Sequence, residues 1–217
     1  MKKLSLFAAL LLCLTLLGGC FFSWESDLLP AAEYSDWNLI LVDAEHSVPS
    51  DWEVTLVDLR GGEQVDRRII DPLQAMFDAC RADGLLPIVY SGYRSKETQQ
   101  SIYDRNLARN LADGYSSEEA EALTRQWVAV PGTSEHQLGL AVDIDSENPD
   151  KCSDEAVWEW LLEHCAEYGF ILRYPADKTD ITGIGYEPWH FRYVGKEAAQ
   201  TIMSEHITLE EYLSDDW

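Results

Sequence analysis

Apolar positions recur at helical spacing in the first half of the chain. They repeat every three or four residues from Leu73 to Cys80, with polar residues between them. This pattern predicts an amphipathic helix that begins at Asp71-Pro72, where the aspartate would cap the helix and the proline suits its first turn. Gly84 is a typical helix terminator, so we expect the helix to end there.

Four other segments also have helical periodicity. They cover residues 96–111, 117–128, 153–168 and 196–205. Ser116 and Glu119 have the spacing of a capping box at the start of the second segment. Gly169 follows the third segment directly and is expected to end it. A short capped turn is expected near the end of the chain, at residues 208–213.

Short apolar or alternating runs that lie between turn residues predict strands. These runs cover residues 38–42, 53–59, 86–90, 140–145, 170–174 and 190–194. The sequence has no internal repeat, no low-complexity tract and no linker that would separate a second domain. Strands and helices mixed in this order predict an α+β fold, in which a small and mainly antiparallel sheet is packed by helices.

The first residues have the layout of an export signal. Met1-Lys2-Lys3 is basic, and an apolar run follows from Leu4 to Leu17. At about 1.5 Å per residue, this run is too short to cross about 30 Å of hydrocarbon. It therefore predicts a signal peptide that is removed on export rather than a segment that spans the membrane.

The Leu-Gly-Gly sequence before Cys20 resembles a bacterial lipobox, in which the cysteine is lipidated and becomes the new N-terminus. We therefore expect a lipoprotein signal peptide at residues 1–19, a tether at residues 20–36 and one folded domain at residues 37–217. The lipid on Cys20 would anchor the protein to the outer face of the membrane, outside the cytoplasm. The alternative is an ordinary signal peptide and a secreted protein.

The charge balance narrows the possible function. The chain has 217 residues, with 16 Lys and Arg against 39 Asp and Glu, and a net charge of −23. Nucleic-acid binding needs clustered basic residues that contact phosphates, so the acidity argues against that class. An apolar content of 46%, with eight Trp, is too high for a disordered chain. We expect a single domain that acts as a monomer.

Three cysteines follow the predicted lipidation site, Cys20. Their number and spacing match neither a disulfide framework nor a zinc ribbon. Cys80 and Cys165 occupy apolar positions of predicted helices, which favours a role in the core. Cys152 lies just before a predicted helix, and the sequence leaves open whether it is paired.

Two segments, residues 134–145 and 187–192, have a high density of metal-binding side chains. A hydrolytic zinc site needs three protein ligands and one open position for water. His136, Asp143 and His190 would supply two imidazoles and a carboxylate. The first two come from one loop and the strand after it, and the third comes from a later strand.

Two neighbours of these residues fit a hydrolytic site. Gly139 permits the chain to turn between the first two ligands. Glu187 precedes His190 by three residues, but Pro188 favours extended backbone before it, so this is not the helical HExxH arrangement. Glu187 would stay off the metal and take a proton from the attacking water.

These segments resemble the zinc D-alanyl-D-alanine carboxypeptidases of the VanY type, a group that includes related L,D-carboxypeptidases and D-Ala-D-Ala dipeptidases. The family pattern SxHxxGxAxD is present as Ser134, His136, Gly139, Ala141 and Asp143. The family pattern ExWHxR is present as Glu187, Trp189, His190 and Arg192. Residues 91–95 and Gln99 match the family's substrate-binding stretch, and the similarity covers about residues 37–195.

The resemblance implies a division of roles. His136, Asp143 and His190 would hold one Zn²⁺ ion, and Glu187 would be the general base and then the general acid. The implied activity is removal of the terminal D-alanine from peptidoglycan stem peptides, with D,D specificity for the pentapeptide. Two alternatives stay open: an L,D-carboxypeptidase that acts on tetrapeptide stems, and a non-catalytic lipoprotein that binds peptidoglycan.

The resemblance also places three residues around the terminal residue of the substrate. Arg94 has a fixed charge and a two-pronged donor face that suits a carboxylate or a developing oxyanion, so it would be both catalytic and substrate-binding. Gln99 and Ser134 would bind the substrate beside it. The alternatives are a structural ion pair for Arg94, a solvated helix face for Gln99 and a local bond to the backbone for Ser134.

Other polar residues near the ligands would support the site. Arg192 shares a predicted strand face with His190, so we expect it to support the ligand from behind or to form an ion pair. Either Glu135 or Asp145 would orient a ligand imidazole. The sequence does not choose between these two carboxylates.

Overall fold

The computed structural model describes residues 36–214. The predicted leader, the lipidation site Cys20 and residues 20–35 of the predicted tether lie outside the described residues, so they remain predictions. Within the described range, no helix combines the length and the apolar character that a membrane span requires.

The described residues form six short strands. They are β1 (Leu56–Asp58), β2 (Gln64–Asp66), β3 (Pro87–Ser91), β4 (Ala141–Ser146), β5 (Phe170–Leu172) and β6 (His190–Tyr193). Strands β1 and β2 pair into an antiparallel ribbon. The other four form a sheet in the order β3-β4-β6-β5, and every neighbouring pair in it is antiparallel.

The described part of the chain also contains seven α-helices. They are α1 (Ile70–Ala82), α2 (Lys96–Ala112), α3 (Ser117–Trp127), α4 (Asp154–His164), α5 (Thr179–Thr182), α6 (Lys196–Glu205) and α7 (Leu209–Leu213). Short 3-10 helices cover Trp37–Leu39, Arg67–Ile69, Glu135–Leu138 and Cys165–Tyr168. Together, these helices and the small four-stranded sheet confirm the predicted α+β fold with a small antiparallel sheet.

The central strand β4 separates the core from the site. Leu140, Val142 and Ile144 are completely buried and join the apolar side chains of α1 and α4 in the main core. Burial of each such side chain stabilises the fold by roughly 1.5–3 kcal/mol. Asp143 lies on the opposite face of the strand because successive side chains alternate.

The start of α1 differs from the prediction. The helix begins at Ile70 rather than at Asp71-Pro72, and a 3-10 turn precedes it. Asp66 caps that turn, since its carboxylate accepts a hydrogen bond of 2.8 Å from the backbone amide of Arg68. Asp71 is therefore not the cap but lies in the first turn of the helix, where a negative charge is favourable.

The strand predicted at residues 38–42 is absent from the described structure. The segment begins instead as a 3-10 helix, Trp37–Leu39. The guanidinium group of Arg192 donates hydrogen bonds to the carbonyl oxygens of Asn38 and Ile40, at 3.1 and 2.9 Å. Because a side chain binds these carbonyls, they are not part of a strand ladder.

The structure confirms several predictions that were made from short stretches of sequence. Ser116 and Glu119 form the predicted capping box at the start of α3. Gly169 has a positive φ of 87° and follows the predicted helix, which continues beyond α4 as a 3-10 turn. Cys80, Cys152 and Cys165 are all free cysteines, which answers the question that the sequence left open for Cys152.

Gly139 makes the turn between the two predicted ligands of the first segment. Its φ is 72°, in the left-handed region that favours glycine. A Cβ at this position would lie 2.9 Å from Cγ2 of Val54 and 3.0 Å from the backbone nitrogen of Asp66. Both the backbone conformation and the lack of a side chain are therefore needed here.

We expect Gly139→Ala to destabilise the protein more than Gly183→Ala does. Gly183 has the same φ of 72°, but a Cβ there would meet nothing within 4 Å. The left-handed backbone costs roughly 1–2 kcal/mol in both variants. Overpacking adds about 1–3 kcal/mol at Gly139 alone. Urea unfolding followed by circular dichroism measures the difference, and equal losses in the two variants would contradict this account.

Candidate metal centre and active site

Strand pairing brings the predicted zinc ligands together. Asp143 in β4 lies directly opposite His190 in β6, so the two side chains share one face of the sheet. His136 comes from the 3-10 helix that precedes β4. One candidate ligand atom from each of the three residues lies within 4.8 Å of the others, and all three residues are buried.

The two imidazoles present different ring nitrogens to this cluster. Nδ1 of His136 lies 2.7 Å from the carbonyl oxygen of Gly92 and donates its hydrogen there, so Nε2 faces Oδ1 of Asp143 at 3.4 Å. His190 faces the same oxygen with Nδ1, at 3.1 Å. Neither contact has the geometry of a hydrogen bond, and Oδ1 of Asp143 is a buried atom without a hydrogen-bond partner.

These atoms suit a zinc ion. Two imidazole nitrogens around a buried, unpartnered carboxylate oxygen form the nitrogen and oxygen donor set of a catalytic zinc site, with a fourth position for water. Burial opposes the charge of Asp143, but His136 and His190 outweigh it and hold the pKa of this carboxyl well below its usual range. Burial also lowers the pKa of His136, which keeps its lone pair available.

Glu187, the predicted base, lies beside the three ligands. Its Oε2 is 3.7 Å from Nδ1 of His190, and its side chain is 11% exposed. The carbonyl oxygen of Glu187 accepts a hydrogen bond from the amide of His190, which makes a turn with Pro188 at its second position rather than a helix. Burial raises the pKa of Glu187 to about 7, although His190 and Arg94 oppose the shift. A carboxyl group with this pKa accepts and donates protons near neutral pH.

Arg94 binds the outer oxygen of Asp143. Its Nη2 donates to Oδ2 at 2.5 Å, and its Nε donates to Oγ of Ser91 at 2.8 Å. The backbone amide of Arg94 donates to the carbonyl oxygen of His136 at 3.2 Å. Arg94 therefore forms the ion pair that the sequence left as an alternative, and it also lines the predicted pocket.

Gln99 and Ser134 are buried in the wall of the same pocket. Nε2 of Gln99 donates to the carbonyl oxygen of Ala129 at 2.8 Å, while its Oε1 has no hydrogen-bond partner. The alternative of a solvated helix face is therefore wrong for Gln99. Ser134 makes no capping hydrogen bond to the 3-10 helix that follows it.

All of the predicted ligands, catalytic residues and substrate-binding residues line one cleft of about 200 Å³. They are Arg94, Gln99, Ser134, His136, Asp143, Glu187 and His190. The sequence did not predict part of the apolar wall, formed by Ile102, Trp127 and Ile184. Trp127 packs against Gly185, where a Cβ would lie 2.9 Å from the indole ring. No local pattern reveals this wall because its residues come from separate elements.

Glu135 lies behind His190, between two buried arginines. Its Oε2 is 3.6 Å from Nε2 of His190, so the structure favours Glu135 over Asp145 as the partner of this imidazole. Its Oε1 accepts hydrogen bonds of 2.8 Å from both Arg173 and Arg192. Arg192 thus forms the expected ion pair. The sequence analysis did not predict a role for Arg173. An arginine within an apolar strand segment could have indicated a buried ion pair.

The fold and the geometry of this cleft define a zinc metallopeptidase. Comparison with known proteins gives the family. The model of the VanY D-alanyl-D-alanine carboxypeptidases matches residues 62–196, and the chain belongs to this family.

Individual proteins are similar over most of the chain. A D-alanyl-D-alanine carboxypeptidase of Enterococcus faecalis (strain ATCC 700802 / V583) is 51% identical over 195 residues, which cover 88% of this chain and 72% of the relative. The solved structure of VanYB in complex with D-Alanine-D-Alanine is 51% identical, with a TM-score of 0.81, and covers 83% of this chain and 99% of that chain.

A second solved structure bears on the metal. A mutant of a vancomycin resistance D,D-pentapeptidase VanY in complex with Zn(II) is 52% identical, with a TM-score of 0.78, and covers 82% of this chain and 99% of that chain. Together these matches confirm the predicted family, the fold class, the zinc carboxypeptidase class and zinc as the cofactor. The roles of individual residues remain predictions that rest on the geometry above.

Zinc affinity tests the predicted ligands directly. We expect His136→Ala and His190→Ala to weaken zinc binding by more than about 100-fold, because even the outer partners of zinc ligands contribute about 10–100-fold. Competition with a chromogenic chelator measures the affinity. His46→Ala is the matched control, since His46 is 56% exposed and pairs with Asp43. Wild-type affinity in either site variant would contradict the ligand assignment.

Proposed function

We propose that this protein is a zinc-dependent D,D-carboxypeptidase that removes the terminal D-alanine from peptidoglycan stem peptides. The observation that carries the proposal is one cleft in which three metal-binding side chains, Glu187 and Arg94 converge. Hydrolysis at zinc needs a base beside the open coordination position. A carboxypeptidase also needs a cation near the terminal carboxylate of its substrate.

Glu187 performs the proton transfers. Bound zinc would polarise the scissile carbonyl group and lower the pKa of water from about 15.7 to about 7. Glu187 accepts a proton as water attacks the carbonyl carbon, and it then gives a proton to the amine of the leaving D-alanine. Burial raises the pKa of Glu187 above its usual range, which makes this carboxylate a better proton acceptor than an exposed one.

Arg94 supplies positive charge where the chain as a whole is negative. Ser91 and Asp143 hold its Nε and Nη2, so the guanidinium group has a fixed position in the wall of the cleft. The net charge of the chain is −23, so the overall surface does not attract a substrate that ends in a carboxylate. Arg94, together with a bound zinc ion, would reverse the sign locally, and Gln99 and Ser134 would contact the terminal residue of the substrate.

The D,D specificity is supported by the relatives. The similar VanYB structure holds D-Alanine-D-Alanine, and the Enterococcus faecalis relative is named as a D-alanyl-D-alanine carboxypeptidase. The same dipeptide ends a pentapeptide stem. A cleft of about 200 Å³ is smaller than the ligand pockets of roughly 300–1,000 Å³ that are usual in proteins, which suits a short peptide end.

Purified stem peptides test the substrate. We expect the zinc-loaded protein to convert the pentapeptide to the tetrapeptide with release of D-alanine and to leave the tetrapeptide intact, as measured by mass spectrometry. Release of D-alanine from the tetrapeptide alone would establish the L,D activity instead. Binding of both peptides without any product would favour the non-catalytic lipoprotein.

Two variants separate the chemistry from binding in the same assay. Glu187→Gln keeps the size of the side chain but cannot accept the proton, so kcat should fall by roughly 10²–10⁴-fold while zinc stays bound. Glu163→Gln makes the same charge change at a side chain that is 78% exposed, and its rate should match the wild type. A near-normal rate for Glu187→Gln would mean that another group is the base.

The place of action completes the proposal. The protein is an extracytoplasmic lipoprotein monomer that Cys20 anchors to the membrane, where stem peptides are within reach. We expect Cys20→Ser to abolish incorporation of a labelled fatty acid, since the thiol is the only acceptor in the lipobox. Cys152→Ser should keep the label. Absence of label from the wild type would favour the alternative of an ordinary signal peptide and a secreted protein. Full labelling of Cys20→Ser would contradict Cys20 as the lipidation site.

A further inference from the structure

Two buried polar atoms face each other behind the predicted metal ligands. Oε2 of Glu135 and Nε2 of His190 lie 3.6 Å apart, and neither atom has a hydrogen-bond partner. The two side chains are 0% and 5% exposed, so bulk solvent does not reach them. Buried polar groups in proteins are almost always hydrogen-bonded. A small approach of these two groups satisfies both atoms at once.

Two guanidinium groups fix the carboxylate of Glu135. Nε of Arg173 and Nη1 of Arg192 both donate to Oε1 at 2.8 Å, and their side chains are at most 1% exposed. Because both arginines bind the same oxygen, Oε2 remains for the imidazole. Arg173 also donates to the two oxygens of Glu210 in α7, at 2.9 and 2.7 Å. We call these four residues the buried ionic cluster, and its formal charges cancel.

The buried ionic cluster is tied to the backbone as well. Nη2 of Arg192 donates to the carbonyl oxygens of Asn38 and Ile40, and its Nε donates to the carbonyl oxygen of Tyr193 at 3.0 Å. An arginine held at three backbone positions is rigid, so the carboxylate that it binds has a fixed orientation. Glu135 is therefore a stationary acceptor that points at the back of a predicted zinc ligand.

We propose that Glu135 is a positioning residue for His190. Its Oε2 accepts the hydrogen of Nε2, which fixes the tautomer and leaves the lone pair of Nδ1 for the metal. Nδ1 already faces the metal centre, 3.1 Å from Oδ1 of Asp143. This inference rests on the proposed function, because it assigns Glu135 a role toward the zinc ion. A carboxylate behind a ligand histidine both orients the ring and strengthens it as a donor.

His136 provides a contrast within the same site. Its second ring nitrogen donates to a neutral acceptor, the carbonyl oxygen of Gly92, at 2.7 Å. The two ligand imidazoles thus have different partners, a peptide carbonyl for His136 and a charged carboxylate for His190. The charged partner makes His190 the stronger electron donor to zinc of the two imidazoles. This donor strength depends on Glu135, a residue that does not touch the metal.

Zinc affinity of the full-length protein tests this role. We expect Glu135→Gln, which removes the negative charge of the partner, to weaken zinc binding about 10–100-fold, the loss that is usual when the outer partner of a zinc ligand is mutated. Chelator competition on the metal-free protein measures the affinity. The visible absorption of the Co²⁺-loaded variant should shift as well, because the electron donation of one ligand changes. Wild-type affinity together with an unchanged spectrum would overturn the proposal.

Glu210→Gln is the matched control. It makes the same chemical change in the same buried ionic cluster, but both oxygens of Glu210 accept hydrogen bonds from Arg173. We expect the zinc affinity and the Co²⁺ spectrum of Glu210→Gln to equal those of the wild type, even if this variant unfolds at a lower denaturant concentration. Equal losses of affinity in Glu135→Gln and Glu210→Gln would show a general effect on folding and would overturn the positioning role.

The wild-type protein provides a second test that needs no folded variant. With ¹⁵N-labelled histidine and bound zinc, NMR correlations should place the hydrogen of His190 on Nε2 and the hydrogen of His136 on Nδ1. A hydrogen on Nδ1 of His190 would overturn the proposal. Failure of the wild type to bind zinc would instead contradict the proposed function, so the two failures are distinguishable.

Discussion

The antiparallel pairing of β4 with β6 is the constraint on which the site depends. It places Asp143 opposite His190 and Ala141 opposite Arg192. Since side chains two residues apart share a face, the pairing puts the metal ligands and the arginine that supports them on the same side of the sheet. A register shift by one residue would turn the ligands toward the core and the core side chains toward the cleft. Burial of the apolar side chains on one face fixes the register, and the register fixes the positions of the metal ligands on the other face.

The positive charges at the site are held in ion pairs within an otherwise acidic chain. The net charge of −23 is spread over the chain, whereas Arg94, Arg173 and Arg192 are concentrated at or behind one cleft. Each of these arginines contacts a carboxylate, Asp143 or Glu135, so the carboxylates near the metal are held in place as well as neutralised. Fixed charges of this kind do not reorganise when a substrate arrives, so we propose that Arg94, which lines the cleft, binds an anionic peptide end despite the acidity of the chain.

The sequence predicted features that depend on neighbours along the chain. The ligands lie in two short segments, and the capping box of α3 needs only Ser116 and Glu119, so both were accessible to pattern analysis. Features that depend on partners distant along the chain were not accessible to pattern analysis. Residues 38–42 have the apolar character of a strand, but the side chain of Arg192 binds two of their carbonyl oxygens. The apolar wall around Trp127 is likewise built from separate elements that only the tertiary fold brings together.

Within the described residues, the buried side-chain atoms that have no hydrogen-bond partner are concentrated at this site. They are Gln99 Oε1, Glu135 Oε2, Asp143 Oδ1 and His190 Nε2. Such groups are unfavourable in a folded protein, so the surrounding structure must hold them against relaxation. The sheet register and the buried arginines provide that rigidity. In the function and the positioning role that we propose, the same atoms gain partners: Asp143 gains the metal, Gln99 gains a hydrogen-bond donor from the substrate, and Glu135 and His190 gain each other. The site is thus organised before its ligands bind, and the free energy that it costs the fold is recovered as affinity.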